Sequence, residues 1–305
     1  MITKLSQLIE QARQVPKKRL AVAYADDGHT VDSVYMAVKA GIVEATLVGD
    51  EAVIREICRR NNIPTESFAI VNEPSETAAA AYAVARASRG EADILMKGSI
   101  STDKYVRALL SKETPVLPPK SVLTHMVVLE IPAYHKLLIA TDVAIIPSPD
   151  IQQKVLMAKW VIRTAQSLGI ETPKVAIVGP TEQMLPNIAS CVDAATIAKM
   201  ADRGQIADAL VDGPLAVDVA IDAESARIKK LKSPVAGDAD GLVFPDLDAA
   251  NAFFKASTKL AGATLAGLVV GAKIPCVLTS RGDSEDSKLN SIALAVLVAH
   301  NGNKR

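Results

Sequence analysis

Short apolar runs alternate with longer stretches of helical periodicity over about the first hundred residues. An apolar run of roughly four to six residues bounded by turn residues predicts a buried strand, whereas apolar positions spaced three and four apart over a longer stretch predict a helix. The predicted strands in this part are 20–24, 45–50, 68–71 and 93–96, and the predicted helices are 31–40, 51–62 and 76–88. Strands that alternate strictly with helices are typical of a doubly wound parallel sheet, so we predict an α/β fold.

The alternation breaks near the middle of the chain. Three apolar runs, 122–131, 136–140 and 143–146, follow one another without an intervening helix, which predicts a change of sheet. The alternation of strands and helices resumes after Pro149. The later predicted elements are a helix at 152–168, a strand at 174–178, a helix at 192–203, strands at 207–211, 241–244, 265–270 and 275–278, and a final helix at 284–300.

We therefore predict two doubly wound α/β domains with an active-site cleft between them. The first domain comprises 1–140 plus 272–305, and the second comprises 141–271. The first is discontinuous because the last strand and helix are expected to return to it and complete its cleft. A chain of 305 residues is long enough for two domains of ordinary size.

Composition narrows the classes of function. Lys plus Arg and Asp plus Glu both number 34, so no net charge favours nucleic acid or an anionic membrane, and an anionic ligand must be held by local charges. Hydrophobic residues make up 49% of the chain and aromatic residues only 3%, which suits a covered parallel sheet and argues against a stacking platform for single strands.

Other sequence features exclude further classes. Three distant cysteines without CxxC spacing and four histidines without ligand spacing predict a reduced protein with no metal site. The absence of a signal peptide and of a membrane-length apolar run predicts a soluble, cytoplasmic protein. Neither a dinucleotide-binding glycine motif nor a Walker loop is present.

The first candidate anion site follows the strand at 93–96. Lys97 and Gly98 precede two serines and Thr102, which opens a helix that carries Arg107. Ligands in doubly wound folds sit beyond the carboxyl ends of strands, and helix N-terminal amides bind anions there. A capped helix beside a surface lysine is the alternative.

The second candidate is Ser280-Arg281-Gly282, where a buried strand becomes a helix. Arg281 can clamp a phosphoryl group with two parallel hydrogen bonds, which a lysine cannot reproduce. The Ser280 hydroxyl and nearby amides can stabilise an oxyanion, and the carboxylates of Asp283 and Asp286 can take a proton. An ordinary helix cap is the alternative.

The third candidate is the loop Gly237-Asp238-Ala239-Asp240, which precedes the strand at 241–244. We expect free backbone amides here, suited to a phosphate or a polar carbonyl, with Asp240 bonding a hydroxyl or an amine. An ordinary turn between strand and helix is equally compatible with the spacing.

Several segments resemble the phosphate acyltransferase family, which includes phosphate acetyl- and butyryltransferases. The segment 235–251, VAGDADGLVFPDLDAAN, is similar to one that lines the coenzyme A cleft of family members. The spacing of Gly98, Thr102 and Arg107 is similar to a family segment whose arginine faces the phosphoryl substrate. The segment 192–221 resembles the butyryl branch, as does His125, although a lone histidine in a strand is more often a core residue.

The resemblance also covers Ser280 and Arg281. It implies that the arginine binds the phosphoryl group, the serine stabilises the transition state, and a downstream aspartate is the base. The acetyl-type aspartate position is Ser287 in this chain. Asp286 or Asp283 could supply the carboxylate, the base could lie elsewhere, or a thiol of pKa about 8.5 could need almost none.

The resemblance implies the fold of isocitrate and isopropylmalate dehydrogenases. It also implies reversible transfer of a short acyl group between coenzyme A and inorganic phosphate through a ternary complex. Butyryl is the expected acyl group, and acetyl is the second choice. Coenzyme A and acyl-CoA are substrates, and no permanently bound cofactor or metal is implied. The resemblance further implies a homodimer, or multiples of one, paired through the middle domain, and metabolic coupling to an acyl kinase. One alternative is a non-catalytic acyl-CoA-sensing module of the same fold, but the chain keeps Ser280, Arg281 and Arg107, which argues against it. Another is an isocitrate-type dehydrogenase, whose cluster of metal-binding aspartates is missing from the sequence.

Overall fold

The computed structural model describes residues 1–279 and 283–302. The strands are β1 (Lys18–Ala23), β2 (Val43–Gly49), β3 (Ala69–Asn72), β4 (Ile94–Lys97), β5 (Thr124–Glu130), β6 (Leu138–Thr141), β7 (Lys174–Val178), β8 (Leu210–Leu215), β9 (Gly241–Val243), β10 (Thr264–Val270) and β11 (Cys276–Val277). The helices are α1 (Gln7–Ala12), α2 (Gly28–Lys39), α3 (Glu51–Arg60), α4 (Glu76–Ser88), α5 (Thr102–Leu109), α6 (Ile151–Ser167), α7 (Ala189–Asp202), α8 (Val217–Ile221), α9 (Ala223–Ile228), α10 (Leu247–Lys259) and α11 (Glu285–Gly302), with one turn of 3₁₀ helix at Thr65–Ser67.

The chain divides into two compact units. The N-terminal unit comprises Ser6–Leu123 and Ala266–Arg305, and the middle unit comprises Met1–Leu5 and Thr124–Leu265. The predicted mixed α/β fold is confirmed, since strands and helices alternate through both units.

The division differs from the predicted domain boundaries, 1–140 plus 272–305 and 141–271, chiefly at residues 124–140. This segment joins the middle unit because β5 pairs antiparallel with β6, which in turn pairs with β9.

In the N-terminal unit the strand order is β3-β2-β1-β4-β11-β10. The neighbours from β3 to β11 are parallel, and β10 alone is antiparallel to β11. β4 and β11, from distant parts of the chain, are therefore adjacent. The carboxyl ends of β1, β2, β4 and β11 consequently share one edge of the sheet.

Helices follow several of these strands, and the side-chain cap of each helix lies one to four residues after the end of the strand. Asp27, Asp50 and Ser101 accept hydrogen bonds from first-turn amides of α2, α3 and α5. Such caps satisfy helix amides that have no partner within the helix. Each cap also sets the helix N-terminus at the carboxyl end of the preceding strand.

α11 is buried on nearly all sides and carries polar groups into the interior of the N-terminal unit. Ser287, Lys288 and Ser291 are buried together with its leucines, valines and isoleucine. The Ser291 hydroxyl accepts from the Gly267 amide at 2.8 Å and donates to the Ser287 carbonyl at 2.6 Å. This chain of bonds fastens the start of α11 to β10.

In the middle unit the strand order is β5-β6-β9-β7-β8, with β5 antiparallel and the others parallel. The predicted strand at 143–146 is wrong. The Asp142 carboxylate accepts from the amides of Ala144 and Ile145 at 2.8 and 2.7 Å, which folds the segment into a turn. The sequence patterns also missed the short helices α8 and α9. Among the described helices, none combines the length and apolar character needed to cross a bilayer.

Candidate active site

The candidate active site lies along the carboxyl edge of the sheet in the N-terminal unit. β1, β4 and β11 are mutually parallel neighbours, so the segments that follow them leave the sheet on the same side. These segments are 24–27, 98–101 and 278–284, of which 280–282 lie outside the described residues. Ligands of doubly wound folds bind at such an edge.

The segments after β1 and β4 are in close contact. Tyr24 has a left-handed backbone with φ of 63°, and its carbonyl accepts from the Ser99 amide at 2.9 Å. The Gly98 amide donates to the Ala23 carbonyl at 2.9 Å. A Cβ on Gly98 would lie only 2.1 Å from the Tyr24 carbonyl oxygen, so this position requires glycine.

Lys97 ends β4 and is buried, with 4% of its surface exposed. Its Nζ donates to the Gly98 carbonyl at 3.1 Å. Burying an ammonium is costly unless negative charge or acceptors surround it. Lys97 therefore places a positive charge inside the edge at which we predicted an anion site.

Thr102 is the first residue of α5, directly after its cap, Ser101. Arg107 lies in the last turn of α5, with 78% of its side chain exposed, and pairs with Asp103 at 3.2 Å. An exposed pair of this kind adds little stability, so the guanidinium can exchange this carboxylate for a ligand at small cost.

The third segment leads into α11. Ser280 and Arg281, which the sequence predicts to be catalytic, lie outside the described residues. Asp283 is half-buried and Asp286 is exposed in the first turn of α11. Ser284 caps the helix by accepting from the Ser287 amide at 3.2 Å.

Ser287 has a structural role in this chain. It occupies the position at which the acetyl-type members of the family are expected to have the aspartate. It is buried, and its hydroxyl lies 3.1 Å from that of Ser284. Its carbonyl accepts the Ser291 hydroxyl. Ser287 thus takes part in fixing the helix start, and Asp283 and Asp286 stay the predicted bases.

Asp26 is an acidic group at this edge whose importance the sequence did not indicate. Both of its carboxylate oxygens accept from the Asp50 amide, at 3.1 and 3.3 Å, and a Cβ on Gly49 would overlap it. The pKa of Asp26 is raised above its ordinary value, chiefly by burial and further by the neighbouring Asp50 and Asp27 carboxylates. Hydrogen bonds from the Asp50 amide and from Tyr24 lower this pKa but do not cancel the rise. Asp26 therefore holds a proton more readily than an exposed aspartate.

Two further contacts at the start of α11 were also missed. His29, at the start of α2, lies 3.2 Å from Glu285 across 256 positions of sequence. Lys288 donates to the Asp283 carbonyl. The pairing of His29 with Glu285 follows no local pattern.

The remaining predicted site residues belong to the middle unit and lie in different parts of it. His125 is buried in β5, where its amide donates to the Asp142 carboxylate at 3.0 Å. It sits where β5 approaches the carboxyl end of β6, since the next residue, Met126, pairs with Thr141.

The loop of Gly237 to Asp240 does not offer free amides, contrary to the prediction. Gly237 donates to Val219, Asp238 to Val235, Ala239 to Ala220 and Asp240 to Lys174, all through backbone bonds of 2.7 to 3.1 Å. Gly237 has φ of 79°, and a Cβ there would lie 2.6 Å from the Ala223 backbone, which explains the glycine. The amides are occupied because this loop packs against α8, α9 and β7.

Asp240 lies where β6, β7 and β9 begin, at the edge opposite their carboxyl ends. Its side chain is buried, pairs with Lys136 at 2.7 Å and accepts from the Lys174 amide at 2.7 Å. Asp238 beside it contacts the side chains of Lys136, Lys174 and His135. The ion pairs and hydrogen bonds of Asp238 and Asp240 give both carboxylates a structural role in the middle unit. Ligand binding by Gly237 and Asp240 stays a prediction, and their contacts do not support it.

Comparisons with known proteins show the family to which the chain belongs. The family described as phosphate acetyl/butaryl transferase matches residues 76–296. A phosphate butyryltransferase of Clostridium acetobutylicum is 39% identical over 99% of this chain and 100% of its own length. A phosphate acetyltransferase of Thermotoga maritima is 41% identical over 97% and 99%. The crystal structure of a branched-chain phosphotransacylase from Enterococcus faecalis V583 superposes with a TM-score of 0.80 at 30% identity, covering 93% of this chain and 99% of that one.

These relatives define the class of the protein as an acyltransferase of mixed α/β fold. The chain belongs to the phosphate acetyl/butyryl transferase family. The family and the enzyme class predicted from the sequence are thereby confirmed. In residues 1–279 and 283–302, no three His, Cys, Asp or Glu side chains are grouped so as to hold a metal ion.

Proposed function

We propose that this protein transfers a short acyl group, butyryl in preference to acetyl, reversibly between coenzyme A and inorganic phosphate. The observation that carries the proposal is the convergence, at one sheet edge, of the buried Lys97, the N-terminus of α5 and the start of α11. Lysine, helix amides and arginine are the groups that bind phosphate in proteins. The names of the relatives, two of them clostridial phosphate butyryltransferases, support the acyl chain length.

In the proposed reaction, the thiol of coenzyme A loses its proton and the sulfur attacks the carbonyl carbon of the acyl phosphate. The bond from that carbon to the phosphate oxygen then breaks, and phosphate leaves with the electron pair. Arg281, Arg107 and Lys97 neutralise the phosphate, and Ser280 donates to the oxyanion. Asp286 or Asp283 accepts the thiol proton, or the thiol ionises without a base because its ordinary pKa is about 8.5.

The proposal includes a homodimer, or multiples of one, in the cytoplasm, and metabolic coupling of the reaction to an acyl kinase. The support for these points is the family resemblance. Substrates are acyl-CoA and inorganic phosphate, and we propose no permanently bound cofactor.

The test is the release of free thiol from butyryl-CoA and acetyl-CoA, with and without phosphate. We expect phosphate-dependent release that favours butyryl-CoA, and a loss of at least about 100-fold in Arg281→Ala, because a clamp on the transferring group is removed. Arg89→Ala is the matched control: Arg89 is an exposed arginine paired with Glu91, between α4 and the start of β4.

Release of thiol without phosphate would instead indicate a thioesterase. Binding of acyl-CoA with no turnover would favour the non-catalytic sensing module. Full activity in Arg281→Ala would refute the assignment of the site.

A further inference from the structure

Asp26 lies where the strand order of the N-terminal unit reverses. β2 and β3 extend the sheet on one side of β1, whereas the next strand along the chain, β4, pairs with the other side of β1. Ligands of doubly wound folds bind beyond the carboxyl ends of the strands at such a switch point. The segments that leave the sheet there are 24–27 after β1 and 98–101 after β4. Asp26 is therefore at the part of the edge where this fold binds ligands.

The carboxylate of Asp26 is held by donors without being enclosed. Both of its oxygens accept from the Asp50 amide, at 3.1 and 3.3 Å, and the Tyr24 hydroxyl donates to it as well. An ionised carboxylate offers about four acceptor positions, so these bonds leave room for a further donor. Asp26 is only half-buried, so a ligand can reach it from solvent.

The segment that carries Asp26 is fixed to the segment that leads into α5. Tyr24 has the left-handed backbone that is uncommon for residues other than glycine, and its carbonyl accepts from both the amide and the hydroxyl of Ser99, at 2.9 and 3.2 Å. Such conformations persist where the surrounding structure holds them, and they cluster at functional sites. The carboxylate of Asp26 thus has a defined position beside the N-terminus of α5.

The surroundings of Asp26 favour proton transfer. Titratable groups lie on the elements around Asp26 and Tyr24: Asp27 before α2, Asp50 before α3, Glu76 of α4, Lys104 of α5, which pairs with Glu76, and Lys97 at the end of β4. Burial and the two neighbouring aspartates raise the pKa of Asp26. A general base works best when its pKa lies near the operating pH, so a raised pKa suits a carboxylate to this role.

We propose that Asp26 is the general base that takes the thiol proton of coenzyme A when acyl phosphate is the acyl donor. The sulfur forms its bond to the carbonyl carbon, the bond from that carbon to the phosphate oxygen breaks, and phosphate leaves with the electron pair. In the opposite direction, protonated Asp26 returns the proton to the departing thiolate.

The inference rests on the proposed function and names a base other than Asp283 and Asp286. It agrees with the serine at position 287, because the chain has no carboxylate where acetyl-type members of the family are expected to have the aspartate.

The test is the formation of butyryl-CoA from butyryl phosphate and coenzyme A, measured against pH for wild type and Asp26→Asn. Asparagine keeps an oxygen that accepts from the Asp50 amide but cannot take a proton. For wild type we expect kcat/KM for coenzyme A to rise with pH through the pKa of Asp26 and then to level off. Asp26→Asn depends on thiol that has already ionised, at a pKa of about 8.5, so its deficit should be about 100-fold near pH 6.5 and should shrink as the pH approaches 9.

The KM for butyryl phosphate should stay within about 3-fold of wild type in Asp26→Asn, because a base acts on the thiol proton. Asp32→Asn is the matched control, since Asp32 is a carboxylate of α2 that bonds the Asn61 side chain, and its pH profile should be that of wild type. A deficit of Asp26→Asn that is equal at every pH would indicate a structural role and would overturn the inference, as would an activity equal to that of Asp32→Asn.

Asp50→Asn is the second variant, and it keeps the inference testable if Asp26→Asn does not fold. Asparagine is also a good helix cap, so α3 should keep its start, but the negative charge beside Asp26 is removed. The pKa of Asp26 should fall, which shifts the rise of kcat/KM to lower pH and leaves the plateau within about 2-fold of wild type. A rise at the same pH as in wild type would overturn the inference.

Failure of the proposed function is distinguished by the wild-type enzyme itself. If it forms no thioester from butyryl phosphate or acetyl phosphate and coenzyme A, the proposed function is refuted. An active wild type beside an Asp26→Asn variant with the same pH profile would refute only the role of Asp26.

Discussion

Replacing Gly98 with alanine should separate the first two segments of the candidate active site. The new Cβ would lie 2.1 Å from the Tyr24 carbonyl oxygen and 2.8 Å from its carbon, both backbone atoms that no side-chain rotation can move away. Restoring an ordinary contact requires the ends of β1 and β4 to part by roughly 1 Å. The substitution therefore strains the sheet edge itself.

The magnitude follows from the contacts that are lost. The bonds from Gly98 to Ala23 and from Ser99 to Tyr24, both 2.9 Å, contribute about 1 kcal/mol each. Overpacking costs a further 1–3 kcal/mol or so, which makes the expected loss of unfolding free energy about 3–5 kcal/mol. For a protein of this size, that corresponds to a Tm lower by roughly 6–20 °C.

The assay is thermal unfolding together with kinetics in varied phosphate, with Gly28→Ala as the matched control. Gly28 lies at the same sheet edge, but its added Cβ would come no closer than 3.6 Å to a neighbour, the Asn61 side chain. We expect the control to keep its Tm within about 2 °C. A Gly98→Ala protein with the stability and the phosphate KM of the control would refute the reasoning, because the close approach would then not constrain the edge.

Two predictions concern the charged cluster of the middle unit. Lys136→Met leaves the buried Asp240 without its cation, so urea unfolding should show a loss of unfolding free energy of about 3 kcal/mol. The exposed Lys199→Met is the control and should lose almost none. Equal stability of the two variants would contradict this prediction. Although burial opposes it, hydrogen bonds from Lys174, Lys136 and His135 hold the pKa of Asp238 well below its ordinary value. The stability that this pairing contributes is therefore present above pH about 4 and is lost as the pH falls further. The Tm of Asp238→Asn should consequently fall less steeply than that of wild type between pH 5 and about 2. A decline as steep as that of wild type would count against the role of Asp238.

The sequence predicted those features that depend on neighbouring residues. The strand at 93–96, its following lysine and glycine, and the capped helix with Arg107 were all found as expected, because strand periodicity, turn residues and caps are local signals.

What the sequence did not indicate depends on distant partners. The amides of the loop at 237–240 had been expected to be free, but the carbonyls that accept from them include Val219, Ala220 and Lys174, up to 66 positions away. His29 and Glu285 meet across 256 positions. The sequence predicted a final helix at 284–300, and only the burial of α11 on nearly all sides shows that Lys288 is interior.

The position of β11 between β4 and β10 affects how the protein is made. β4 leaves the ribosome about 180 residues before β11 does, which at ordinary elongation rates is roughly 10 to 40 seconds. During that interval one side of β4 has unpaired amides and carbonyls, and such an open edge invites pairing with other nascent chains. The middle unit can fold while translation continues, but the edge with the candidate active site is completed only when the last strand and helix emerge. Until then β4 is an edge strand, although in the finished sheet it is an internal one.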